Sequence, residues 1–262
     1  MLTSLQNPLV KQMRKLHRAK ERKKQNLILL EGTNLIEAAL QVNYSLVTVC
    51  YTSVWADRHS NLLADLLDRT ARIELVSPEV LSSIATTVNP DGIVAIAPKR
   101  GFCQLDLNKI NLGLVLERLQ DPGNLGTIIR TAVATNTDAI AIGDDSVDLE
   151  NPKVLRASAG EWFKLPIATS ANLATTIGDF RALQGQVIAT VPRSDLTYWQ
   201  IDFKRPSLIL LGNEGNGLSQ ELINLADIKV NIPLTGGVES LNVGIAAALL
   251  LYEARRQKNS II

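Results

Sequence analysis

The chain has 262 residues, 46% hydrophobic and 20% charged, a composition that suits a globular protein able to bury sizeable cores. A formal net charge of +1 excludes any argument for nucleic acid or membrane from overall balance, so such partners must be sought in local patches. With only His17, His59, Cys50 and Cys103 to draw on, a histidine-rich or cysteine-spaced metal site is excluded and a Ser-His-Asp triad is disfavoured.

In chain order, residues 5–24 read as helical and basic, with Lys11, Arg14, Lys15, Arg18, Lys20, Arg22, Lys23 and Lys24 opposed only by Glu21. Such a run is either a solvated helix face or an arm for phosphates, and the run alone leaves both open. A strand at 27–30 turns at Glu31-Gly32 into a helix at 34–41, with Thr33 as the expected N-cap. Strands follow at 46–51, 73–76 and 93–97, with a helix at 61–69 and another opened by Pro78. This alternation predicts a small α/β domain over 1–98. Residues 99–111, beginning Lys99-Arg100-Gly101, break the pattern and read as a linker. The longest apolar run, 243–251, is about half a membrane span. With no apolar leader at the N-terminus and two lone thiols, the expectation is a cytoplasmic protein without a membrane partner.

A second α/β alternation fills 112–262. Strands are predicted at 114–116, 139–142, 165–168, 187–191, 207–211 and 228–232, with helices at 126–135, 153–157, 173–183, 218–225 and 241–258. Buried strands joined by helices imply a mostly parallel sheet, whose ligands sit beyond the strands' carboxyl ends. Three turns fall at such ends: 117–132, 210–219 and 232–242. Gly212, Gly215 and Gly217 give G-x-x-G-x-G, which is not the dinucleotide order, and no Gly-Lys-Ser/Thr is present. Glu214 inside that turn would repel a phosphate. Taken singly, each turn also reads as a capped helix: Asn124 or Thr127 as a cap ahead of a surface Arg130, and Ser240-Leu241-Asn242 as the entry to a buried helix.

Together the three turns resemble the motifs of the SpoU (TrmH-like) RNA methyltransferases. They are Asp-Pro-Gly-Asn-Leu-Gly-Thr-Ile-Ile-Arg-Thr-Ala at 121–132, Leu-Leu-Gly-Asn-Glu-Gly-Asn-Gly-Leu-Ser at 210–219, and Ile-Pro-Leu-Thr-Gly-Gly-Val-Glu-Ser-Leu-Asn-Val-Gly-Ile-Ala at 232–246. Arg-Ala-Ser-Ala-Gly at 156–160 is similar to the family's intervening stretch. The first domain resembles, more loosely, the L30e-like substrate-binding domain of ribosomal-RNA members, through its basic start, Leu29-Leu30-Glu31-Gly32 and Pro90-Asp91-Gly92-Ile93-Val94-Ala95.

The resemblance implies methyl transfer from S-adenosylmethionine to a ribose 2′-hydroxyl, most readily in 23S ribosomal RNA, with tRNA as the alternative target and a non-catalytic RNA-binding relative as the alternative role. It implies an α/β domain whose C-terminal segment forms a trefoil knot, and a homodimer. By position, Asn124, Arg130, Glu214, Ser240 and Asn242 would be the functional set. Gly212, Ile232 and Leu241 would contact the cofactor, with Thr190, Val191 and Leu234 lining its pocket. Lys11, Arg14, Lys15, Arg18 and Arg22 would contact RNA, and no role requires a metal. An NAD-dependent enzyme is the rival of another class, and the glycine order speaks against it.

Overall fold

The basic N-terminal run folds as two helices rather than one in the computed structural model, which describes residues 1–101 and 103–259. Helix α1 (Pro8–Lys15) starts with Pro8 in its first turn, and the Asn7 side chain accepts from the Leu9 amide. Helix α2 (Ala19–Gln25) ends at Asn26, whose φ of 54° turns the chain left-handed. Arg22 holds the break between them. Its Nη1 donates to the Leu16 and His17 carbonyls at 2.9 Å each, and its Nη2 pairs with Asp148. At 2% exposure Arg22 is a buried staple and not a phosphate ligand, which corrects the sequence-based expectation. Lys11, Arg14, Lys15 and Arg18 are exposed.

The chain continues through β1 (Leu27–Glu31), α3 (Thr33–Gln41), β2 (Thr48–Tyr51), α4 (Ser53–Arg58), α5 (Ser60–Arg69), β3 (Ile73–Leu75), α6 (Pro78–Ile84) and β4 (Ile93–Pro98). The sheet order is β1-β4-β2-β3, with β4 antiparallel to both neighbours and β2 parallel to β3. Thr33 is the first residue of α3, not its cap. Its hydroxyl donates to Asp91 and accepts from Trp55 Nε1 at 2.8 Å, so tertiary partners take the group that local pattern assigned to the helix end. Helix α4 was not expected from periodicity. It buries Trp55 alone and is started by the Thr52 side chain.

The remaining elements are β5 (Leu112–Leu116), α7 (Pro122–Ala134), β6 (Ala139–Gly143), α8 (Pro152–Ala157), β7 (Ile167–Ser170), α9 (Leu173–Ala182), β8 (Gln186–Thr190), β9 (Ser207–Leu211), α10 (Gln220–Leu225), β10 (Ile228–Val230) and α11 (Val243–Asn259). Their six strands form a sheet of order β10-β8-β9-β5-β6-β7, parallel at every pairing. Strands β5, β6 and β9 are buried along their whole length, which is why they read as continuous apolar runs. This order brings the carboxyl ends of β5, β9, β8 and β10 side by side, and the three motif turns leave from there.

By their contacts, Met1–Gly101 and Asp148–Lys164 form one compact unit, and the chain on either side of that second segment, up to Val147 and from Leu165, forms the other. Within the first unit, Arg156 on α8 donates to Glu31 at 2.9 Å. The Glu31 carboxylate, 4% exposed, also accepts from the amides of Thr86 and Thr87 and from both hydroxyls. Burial works to raise the Glu31 pKa, but the hydrogen bonds from Thr87 and Thr86 and the Arg156 charge outweigh it and hold the carboxyl below its usual value. A depressed carboxyl pKa contributes stability that is present above the unfolded-state pKa and lost as pH falls through the folded one. Replacement Glu31→Gln is therefore expected to cost about 3 kcal/mol at neutral pH, because Arg156 and the threonine donors lose their anionic partner. In urea titrations the gap between wild type and variant narrows as the pH is taken below the ordinary glutamate carboxyl range. An unchanged gap at low pH would remove the ionised carboxylate as its source.

Candidate active site

Two helix starts and one carboxylate build the site. Helix α7 begins at Pro122 rather than at 126, because Asp121 caps it by accepting from the Asn124 amide at 2.9 Å. With Asp121 as the cap, the Asn124 side chain is left for other work. Helix α11 is capped by Asn242, whose Oδ1 accepts from the amides of Gly244 (2.9 Å) and Ile245 (3.3 Å). That cap fixes the amide orientation. Asn242 Nδ2 then faces outward and donates to Asn124 Oδ1 at 2.8 Å, which in turn aims Asn124 Nδ2 at Glu214 Oε1, 3.1 Å away. Glu214 also receives longer contacts from the amides of Gln120 (3.4 Å) and Asp121 (3.5 Å). A cleft of about 630 Å³ opens here, lined by Gln120, Asp121, Asn124, Glu214, Ser240, Leu241 and Asn242.

The second turn is shaped by its own backbone. Asn213 accepts from the amides of Gly215 and Asn216 at 2.9 Å each and exchanges main-chain hydrogen bonds with Gly217, which sits at φ +66°. A Cβ on Gly212 would collide with the backbone of Gly217 and Leu218. The sequence suggested that this glycine admits a ligand, and the structure adds a nearer reason: the turn folds back on it. Below the turn, Glu117 accepts from the Ser219 amide at 2.7 Å, tying the end of β5 to the start of α10.

Of the sequence-predicted residues, Asn124, Glu214, Ser240, Asn242 and Leu241 meet in the cleft. Four of the remaining cofactor candidates stand at or just past the ends of β8, β9 and β10. Thr190 closes β8 and donates to the Leu210 carbonyl at 2.8 Å, the Val191 amide bonds to the Val230 carbonyl, Gly212 follows β9, and Ile232 follows β10. Asn231, one residue before Ile232, has a buried Oδ1 without a hydrogen-bond partner among the described residues. Residues 233–240, including Leu234, are exposed, and Gly236 and Gly237 hold left-handed φ of +69° and +75°.

Arg130 does not join the cleft of its own chain. Six residues beyond Asn124, it is rotated by about 240° and displaced by about 9 Å along α7. It lies on the exposed stripe with Thr127 and Ala134, and the structure gives its guanidinium no hydrogen bond or ion pair among the described residues. Conversely, Gln120 and Asp121 belong to the site although sequence reasoning gave neither a role. Their place directly ahead of Pro122-Gly123-Asn124 was the available signal.

Residues 111–252 match the SpoU rRNA methylase family, and residues 7–95 match the MRM3-like substrate-binding domain. An uncharacterized tRNA/rRNA methyltransferase of Synechocystis is 48% identical, with 98% of this chain and 94% of that protein covered. A 23S rRNA guanosine 2′-O-methyltransferase of Bacillus subtilis is 32% identical over 97% of this chain and 98% of its own length. Among solved structures, the AdoMet-bound rRNA methyltransferase of Sinorhizobium meliloti superimposes with a TM-score of 0.84 at 33% identity, covering 97% of each chain. The AdoMet complex of the SpoU methyltransferase from Streptomyces viridochromogenes gives 0.86 at 28% identity, covering 97% of this chain and 99% of that one. The three motif turns, the cleft between them and these matches together make this chain a member of the SpoU rRNA methylase family.

Proposed function

We propose that this protein transfers a methyl group from S-adenosylmethionine to a ribose 2′-hydroxyl in 23S ribosomal RNA. The observation that carries the reading is the hydrogen-bonded line from Asn242 through Asn124 to Glu214, which joins all three motif turns around one cleft. Thr190, Val191, Gly212, Ile232, Leu234 and Leu241 would hold the cofactor. The backbone groups at these strand ends suit an adenine that needs an apolar slot and main-chain hydrogen bonds. Bound there, S-adenosylmethionine supplies an electrophilic methyl on a sulfonium.

The work left to the chain is to hold the ribose in line and to manage a hydroxyl that loses its proton during attack. Asn124, Asn242 and Ser240 present amide and hydroxyl groups to the ribose, with the two amides oriented by the α11 cap and Glu214 accepting at the end of the line. A guanidinium stays protonated in proteins, so the role that suits Arg130 is positioning a phosphate and stabilising the developing alkoxide. Its absence from its own cleft supports a further reading, that Arg130 serves the site of a partner in a homodimer. The apolar stripe of Ile245 (52% exposed) and Tyr252 (57% exposed) on α11 suits such a pairing. We also read the C-terminal segment as a trefoil knot, the compartment as cytoplasmic, and Lys11, Arg14, Lys15 and Arg18 as phosphate contacts on the substrate.

Incubation with tritium-methyl S-adenosylmethionine is expected to label protein-free 23S rRNA at a ribose, giving an alkali-resistant dinucleotide. Label confined to tRNA would transfer the activity to that substrate, and no label in either would leave an RNA-binding protein. For the network, Asn124→Ala is expected to lower single-turnover methylation on the order of 10²-fold while S-adenosylmethionine still binds by calorimetry. For Arg130, neither Arg130→Ala nor Asn242→Ala should methylate alone. Mixed and re-equilibrated, they should recover about a quarter of wild-type activity, since half the dimers then hold one intact site. No recovery would place Arg130 in its own chain's site.

A further inference from the structure

Six non-glycine residues among those described have positive φ: Asn26, Asn43, Arg118, Asn136, Ala159 and Gln184. Five of them sit at or just past a helix C-terminus, where a left-handed residue is the ordinary way to end a helix. Arg118 is the exception. It follows strand β5, at φ 54°, two residues before the first member of the cleft lining. A long side chain there is disfavoured, and glycine or asparagine would fit the backbone better.

The surroundings hold this backbone in place. The Arg118 carbonyl accepts from Asn213 Nδ2 at 2.9 Å and from Gln120 Nε2 at 3.2 Å, so side chains from two of the motif turns clamp one peptide. The side chain is held far less firmly. Among the described residues its only ion pair is to the neighbouring Glu117 at 3.5 Å, and the Glu117 carboxylate is already engaged by the Ser219 amide. Arg118 Nε is buried with no acceptor, while the side chain as a whole is 40% exposed. A strained backbone that is over-determined by its neighbours and carries an under-satisfied guanidinium suits a group kept for something outside the chain.

We infer that Arg118 is an RNA-binding residue of this site, a loosely held guanidinium carried on a clamped backbone two residues ahead of the cleft lining, which takes a backbone phosphate of the substrate next to the ribose being methylated. This rests on the RNA methyltransferase reading above. The planar fork of arginine suits phosphate oxygens, and one such contact releases about one condensed counterion.

The test compares wild type with Arg118→Gly and Arg118→Lys, using in-vitro-transcribed 23S rRNA in filter binding across a salt series. Glycine suits the left-handed backbone, so Arg118→Gly is expected to keep or raise the Tm and to leave S-adenosylmethionine affinity unchanged. Its log K against log[salt] slope should be shallower than wild type by about 0.7–0.9, the value for one phosphate contact, with weaker RNA binding. Arg118→Lys should retain the slope. An unchanged slope in Arg118→Gly, or a fall in its Tm or cofactor affinity, would overturn the assignment in favour of a structural role. Wild-type methyl transfer to the same transcript tests the underlying reading separately. Methylation with an unchanged variant slope sinks only this inference, whereas wild type that neither binds nor methylates RNA sinks both.

Discussion

The cap of α11 is the constraint on which the rest of the site depends. Asn242 must direct its oxygen at the helix amides, because those donors have no partner within the helix. That choice leaves its NH₂ pointing away, which decides the orientation of Asn124, which decides what Glu214 receives. A carboxylate accepts only, so the line has one consistent polarity from helix end to acid. Each member would be an ordinary surface amide by itself. Joined, they hold three loops from distant parts of the chain in a single geometry, and such a network rigidifies only when every member is satisfied.

The sheet makes this meeting possible. With β9 between β5 and β8, and β10 beyond β8, loops that are about a hundred residues apart in sequence leave from neighbouring strand ends. The strands are parallel, so every crossover returns the chain to the same edge and the loops accumulate on one side. The short hydrogen-bonded turn of 213–217 then needs no side chain at Gly212, and its compactness leaves Glu214 projecting toward the α7 start.

The two arginines of the first motif turn illustrate opposite uses of a cation. Arg130 stands on an exposed helix face without an acceptor among the described residues, which suits a group delivered elsewhere. Arg118 is clamped by its carbonyl in a backbone state that an arginine does not favour. Arg22 offers a third case: in a run of exposed basic residues it alone is buried, and its charge is consumed by two carbonyls and Asp148. Charge in a sequence states what a residue can offer; burial states whether it offers it to solvent.

Sequence alone determined the strands, most of the helices (α4 excepted) and the three motif turns, since these rest on apolar runs, proline and glycine placement and capping chemistry within a few residues. It determined the family as well, because three long motifs in order form a specific pattern. Tertiary structure decided which residue caps which helix. Asp121 displaced Asn124, and Thr33 turned to Asp91 and Trp55, because partners distant in sequence compete for the same polar atoms. It also decided that Arg22 is buried, that Arg130 lies outside its own cleft, that 148–164 packs with the first unit, and that Gln120 and Asp121 complete the site. Periodicity reports which face of an element is apolar, but only the packed chain shows what that face meets.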